Sequence, residues 1–284
     1  MTLAVIALTS ATGAPGVTTT CLALTLSWPR PVLLVEADPA GGDVLAGYLR
    51  AEVRADRGLA YLALAARRDE LAEQFATQLV DLGQRRGSVT RLLLPGVSDP
   101  GESAGVVAAW PRLIEFFVRL DSPDDQPAGP VSGPLDVIVD CGRCVAPNPP
   151  VTALAGADAV LFVLRSTLRS VSRAAPVLTG LRRDITRAGG DPDRVGLLVV
   201  EEGEYRSADL GRALGAPVVA TLPWRAKEAA ALSDGAGRAA EGGPLLRGAV
   251  AIAESLIKEI ARARTAAAAL PVAHQSTYPG VGRP

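Results

Sequence analysis

Hydrophobic positions alternate between two patterns along the chain. Short runs rich in Val, Leu and Ile recur at Leu3–Leu8, Val32–Glu36, Arg91–Leu94, Leu135–Asp140, Ala159–Leu164, Val195–Val200 and Val218–Thr221. Several are apolar throughout, the pattern of strands buried on both faces of a parallel sheet. Between them lie longer helical stretches at Thr18–Ser27, Asp69–Leu82, Glu102–Leu120, Ser166–Arg187, Ser207–Leu214 and Pro244–Arg264. Within these, Val106, Val107, Trp110, Leu113 and Phe117 form one stripe, and Val250, Ala253, Ile257 and Ile260 another. Each stripe has the spacing of a buried helix face. The alternation predicts an α/β fold: a doubly wound, mainly parallel sheet in a three-layer α/β/α sandwich, the architecture of P-loop NTPases.

Two segments break the pattern. Residues 121–134 are rich in Pro, Asp and Gly and read as a surface loop before a core strand. Residues 265–284 lose periodicity after an Ala run and read as a disordered tail. Residues 1–264 are therefore expected to form a single domain, and 284 residues suffice for a large core.

Charge narrows the functional classes. The formal net charge is −1, so no basic surface is available for phosphate neutralisation, and no specific nucleic acid partner is expected. The cations are almost all Arg; Lys227 and Lys258 are the only lysines. The apolar run from Ala157 to Leu164 is far too short to span a bilayer, so no transmembrane segment is expected. Met1–Ser10 has no basic flank and reads as a buried strand, not an export signal. A cytoplasmic location with reduced thiols follows, with any membrane contact made through a partner. Cys141-Gly-Arg-Cys144 is a C-x-x-C, but the sole histidine is His274 in the tail, and Val145–Pro150 is a poor helix start. A dithiol or metal role is weakly supported, and Ser-His-Asp chemistry is excluded in the body of the chain.

Candidate chemistry lies at the ends of strands. After the first strand, T-S-A-T-G-A-P-G-V-T-T-T (Thr9–Thr20) leads into a helix. A Gly-containing turn before a helix aims backbone N–H groups at one spot and suits an anion. The second strand ends in V-L-L-V-E-A-D-P-A-G-G-D (Val32–Asp43), and a later one in D-V-I-V-D-C-G-R (Asp136–Arg143). Open α/β sheets bind ligands at the carboxyl ends of their strands. Gly13-Ala14-Pro15-Gly16 does not supply the G-x-G-x-x-G of a dinucleotide site. Thr18 can offer a hydroxyl to Mg²⁺, with Asp38 and Asp140 nearby through water. The same residues also fit plain roles, Thr18 as a helix cap and the two Asp as turn formers.

These motifs, in this order, resemble the MinD/ParA family of P-loop ATPases, including its pilus-positioning relatives of the TadZ/CpaE kind. The family's loop reads x-K-G-G-x-G-K-T-T. Thr12 stands at the signature lysine, Gly13 at the first glycine and Ala14 at the second; Pro15 takes the variable position. Gly16, Thr18 and Thr19 are retained, and Val17 replaces the P-loop lysine. Glu36-Ala37-Asp38-Pro39-Ala40-Gly41 is similar to the family's D-x-D-P-Q-G segment, and Val137–Asp140 to its Walker B strand. The stretches from Ala157 and from Ala213 are similar to later family strands, so the resemblance spans residues 1–240.

The resemblance implies ATP or ADP with Mg²⁺ as ligand, phosphate contacts at Gly13, Gly16, Val17, Thr18 and Thr19, and a catalytic Asp38 in an active member. It also implies a homodimer and protein partners in a larger assembly. The departures point to a pseudo-ATPase. Val17 and Thr12 supply no charge, and Pro15 removes an N–H. Each lost charge-assisted contact costs about 1.5–3 kcal/mol. A degenerate positioning or scaffolding subunit, of pilus or secretion type, is one expectation. An active ATPase rescued by Arg143, Arg165 or a partner is the other. Val17 is expected at the first helical turn, with a solvent-accessible side chain outside the core.

Overall fold

The computed structural model describes residues 3–12, 15–54, 56–83, 89–120, 134–235 and 242–269. Eight strands form one sheet: β1 (Val5–Ser10), β2 (Val32–Glu36), β3 (Val80–Asp81), β4 (Arg91–Leu94), β5 (Asp136–Arg143), β6 (Ala159–Arg165), β7 (Val195–Glu201) and β8 (Val218–Pro223). Their order is β3-β4-β2-β5-β1-β6-β7-β8, and only the two-residue β3 runs antiparallel to its neighbour. The helices are α1 (Val17–Ser27), α2 (Leu59–Arg67), α3 (Leu71–Phe75), α4 (Ser103–Val107), α5 (Trp110–Val118), α6 (Val151–Gly156), α7 (Leu168–Arg187), α8 (Ser207–Leu214), α9 (Ala226–Ser233) and α10 (Pro244–Ala269).

The period-two rule sorts each strand between two apolar layers. On β1, Val5 and Ala7 join Leu62, Phe117 and Leu178 from α2, α5 and α7. Ile6 and Leu8 join Cys21, Leu232 and Ala253 from α1, α9 and α10 on the opposite face. The result is the expected three-layer, mainly parallel α/β/α sandwich.

Two carboxylates pin the N-terminal ends of the central strands. Asp136 accepts hydrogen bonds from the Ala4 N–H, Trp28 Nε1 and Arg30 Nε, each at 2.7 Å. Asp158 accepts from the Val5 N–H at 2.9 Å and pairs with Arg264 of α10 at 2.6 Å. The carboxyl ends of the same strands carry the loops.

Some elements depart from expectation. The helix expected at Asp69–Leu82 is instead the end of a two-helix turn followed by β3. Asp69 sits in the left-handed region (φ 60°), which stops helix propagation, and Val80 pairs with Leu93. The helix expected at Glu102–Leu120 breaks before Trp110, because Pro111 lacks an N–H and belongs in a first turn. Its stripe packs as expected except for Val107, which is exposed. α10 runs past Arg264 to Ala269, so the start of the expected tail is helical. Its buried face is Leu245, Ala249, Ile252, Ala253, Leu256 and Ile260; Val250 is exposed and Ile257 half-buried. The short helices α2, α6 and α9 were not expected from the pattern. The loop at 121–133 and the tail from residue 270 lie outside the described residues.

Candidate functional site

The loop after β1 and the N-terminus of α1 form the floor of a cleft. Gly16 ends the loop with φ 101°, a conformation that suits glycine, and caps α1 with no side-chain hydrogen bond. The first helical bond runs from the Thr20 N–H to the Gly16 carbonyl at 2.8 Å. The amides of Val17, Thr18 and Thr19 therefore precede the helix's own ladder, at the positive end of its dipole. No acidic side chain occupies that first turn. Gly13 and Ala14 lie outside the described residues.

The cleft measures about 850 Å³ and lies at the carboxyl ends of β1, β2 and β5. Thr12, Gly16, Val17, Thr18 and Thr19 line its floor, Asp38 and Asp43 one wall, Arg143 another, and Leu232–Asp234 at the end of α9 the far side. Asp38 accepts a hydrogen bond from the Ala40 N–H at 2.8 Å. Its carboxylate packs directly on the backbone of Gly142, where φ is 55° and a methyl group would overlap it. Burial raises Asp38 above the ordinary carboxylate range, against the pull of the Ala40 N–H and Arg143.

Asp140 lies deeper, 2% exposed, behind the lining. Burial raises its carboxyl to about 6, against the lowering influence of the nearby Thr18 hydroxyl and of the Gly142 N–H, which donates to it at 3.0 Å. Thr18, on the cleft floor, lies close enough to Asp140 to favour its charged form. Glu36 is paired in register with Asp140 and is equally buried. Burial lifts it to about 7, although it accepts from Val44 and Gly96 amides.

Among the expected site residues, Gly16, Val17, Thr18, Thr19, Asp38 and Arg143 line one cleft, and Asp140 stands behind Thr18. Two placements differ from expectation. Val17 is only 6% exposed and belongs to the apolar layer of Ile6, Leu8 and Cys21, while its outer edge still reaches the cleft. A β-branched side chain at a first turn can pack on the sheet because no ammonium has to be kept wet. Arg165 does not line the cleft. It pairs with Glu202 at 2.9 Å and lies 4.4 Å over the Trp224 ring. Sequence reasoning missed Glu36, Gly142 and the Ser233–Asp234 edge. A carboxylate in an apolar strand was a usable signal for Glu36; nothing local marked Ser233.

Whether the cleft fits Mg²⁺ and a nucleotide can be judged from its donors. Thr18, Asp38 and Asp140 are oxygen donors of the kind Mg²⁺ takes. The phosphate side offers the first-turn amides of α1 but no lysine among the described lining residues. Among the described residues the charged lining is Asp38, Asp43 and Asp234 against Arg143 alone, three carboxylates to one guanidinium. That balance opposes a polyphosphate. The cysteines are no substitute chemistry. Burial raises Cys144 to about 11 and Cys141 well above its ordinary value, so both stay thiols. No cluster of His, Cys, Asp and Glu suited to a metal ion occurs among the described residues.

No family model matches the chain, and no curated protein matches it. Solved structures do. A ParA family ATPase from Chlorobium tepidum TLS superposes with a TM-score of 0.62 at 17% identity, covering 88% of this chain and 98% of its own. The fold is that of the MinD/ParA ATPases. The septum site-determining protein MinD of Pyrococcus horikoshii OT3, complexed with Mg-ADP, gives 0.63 at 17% identity, covering 91% and 97%. The MinC:MinD cell division complex of Aquifex aeolicus gives 0.65 at 17% identity, covering 90% and 96%. The MinD/ParA fold therefore extends over nearly the whole chain. No described helix is long and apolar enough to cross a membrane.

Proposed function

We propose that this chain is a degenerate MinD/ParA-type positioning or scaffolding subunit of a larger assembly, of pilus or secretion type, that binds nucleotide weakly if at all. The observation that carries this reading is the floor of the cleft. At the position of the P-loop lysine, Val17 packs into the core, and Arg143 is the sole cation among the described lining residues. Binding a polyphosphate there means bringing it beside three carboxylates with little compensation. Losing a preorganised transition-state donor costs about 10²–10³ in rate. The solved relatives with Mg-ADP and with MinC support a fold that can host both a nucleotide face and a protein partner. Here the partner face is the retained function. A homodimer across the cleft is part of the reading, as is recruitment to a membrane by the partner.

A second reading has one observation in its favour. Arg143 lines the cleft and acts on Asp38, which supports a rescue of the missing lysine by an arginine. Turnover separates the two. ATP hydrolysis by the purified full chain should be no faster than that of a Thr18→Ala, Asp38→Ala double variant. A magnesium-dependent rate well above the double variant, lost on Arg143→Ala, would establish the active reading instead.

A further inference from the structure

The segment from Ala37 to Ala51 forms one wall of the cleft. In nucleotide switches, a loop at such a place is ordered by contacts to the terminal phosphate and its Mg²⁺ and released without them. Here the segment is anchored by the protein's own groups. The buried Glu36 carboxylate accepts from the Val44 N–H at 2.9 Å and from the Gly96 N–H at 3.2 Å. The approach is close enough to require glycine: a Cβ on Gly42 would lie 2.7 Å from Glu36 Oε2 and 2.9 Å from the Gly96 nitrogen. The Gly42 N–H then bonds the Val97 carbonyl at 3.1 Å. Further along, Gly47 packs its backbone on the Ser233 carbonyl, where a side chain would overlap it. Arg50 Nε donates to the Gly235 carbonyl at 2.7 Å. The segment is thus fastened by the protein's own groups to β2, to the chain after β4 and to the end of α9.

We infer that Glu36 is a positioning residue that holds the Ala37–Ala51 segment in one conformation without nucleotide, so that this wall of the cleft is preset rather than switched. The inference deepens the reading of the cleft as a degenerate phosphate-loop site and rests on it. A carboxylate taking two buried N–H groups makes charge-assisted bonds, and its removal leaves both donors unpaired. A preset wall presents the same surface to a partner at every nucleotide level, as a constitutive scaffold requires.

Site-resolved amide hydrogen exchange on the full chain tests this, with and without millimolar Mg-ATP. In the wild type, exchange in residues 38–51 should be slow and unchanged by Mg-ATP. Glu36→Gln keeps one acceptor oxygen but turns an NH₂ toward the second N–H. It should speed exchange at Val44, Gly96 and the segment by about tenfold or more, while Ile6, Ile138 and Leu161 in the sheet keep their protection. Glu36→Ala should extend the effect, and if it fails to fold, Glu36→Gln still gives the readout. Unchanged segment exchange in Glu36→Gln, or an increase shared equally with the sheet, would overturn the positioning role. So would Mg-ATP slowing the wild-type segment by about tenfold. Calorimetry on the same sample separates the two claims. Tight Mg-ATP binding with unchanged exchange overturns the weak-nucleotide reading and leaves the preset wall standing. No binding with an already fast segment does the reverse.

Discussion

Glu36 and Asp140 are adjacent across β2 and β5, buried on the face that α1 covers, and burial, helped by both carboxylates, raises the pKa of Cys21. Burial lifts Glu36 from an ordinary 4.5 to about 7 and Asp140 from 3.8 to about 6. A carboxyl with a raised folded pKa binds its proton more tightly in the native state. Its stabilising contribution is complete below the unfolded value and is lost as pH rises through the folded one. The pair should therefore cost stability between about pH 5 and pH 8. Denaturant unfolding at those two pH values should show a larger loss for wild type than for Glu36→Gln, which cannot titrate. Equal losses in both proteins would mean that Glu36 is ionised throughout. At this scale the sequence was partly legible. Thr18, Asp38 and Asp140 could be named from their places at strand ends. The burial of Val17 could not, because it depends on Leu8 and Ile6 of β1 offering an apolar surface to the first turn of α1.

Among elements, the strongly patterned ones were readable and the short ones were not. Val32–Glu36, Arg91–Leu94 and Ser207–Leu214 match their expected limits, because each is bounded by turn residues and filled by one periodicity. The region from Asp69 misled because Leu71–Phe75 and the Val80–Asp81 strand fuse into a plausible helical pattern. The separating features are a left-handed Asp69 and a pairing with Leu93, neither of which a local pattern records. Asp136 shows what an element boundary can carry. It opens β5, and its carboxylate gathers an amide of the β1 edge, the Trp28 indole and the Arg30 guanidinium. Its side chain is 3% exposed, so removing it strands three donors. Asp136→Ala should cost about 3–5 kcal/mol of folding stability, the range for breaking a buried pair. Chemical denaturation measures it; a loss below about 1 kcal/mol would match a surface pair and contradict the burial argument.

For the molecule as a whole, alternating strands and helices gave the layers but not the order of strands. β5 inserts between β2 and β1, and this brings Asp140, Gly142 and Arg143 beside the loop after β1. Gly47 meets Ser233 across a long sequence separation, so the closed far side of the cleft was invisible to any local reading. The likeness to MinD/ParA ATPases over about nine-tenths of the chain fixes the architecture, and the proposed loss of nucleotide chemistry rests on the cleft lining. The most direct test is calorimetric titration of the wild-type chain with Mg-ATP at physiological salt. A Kd of about 1 mM or weaker is expected. A Kd of about 10 μM or tighter, abolished by Thr18→Ala, would contradict it.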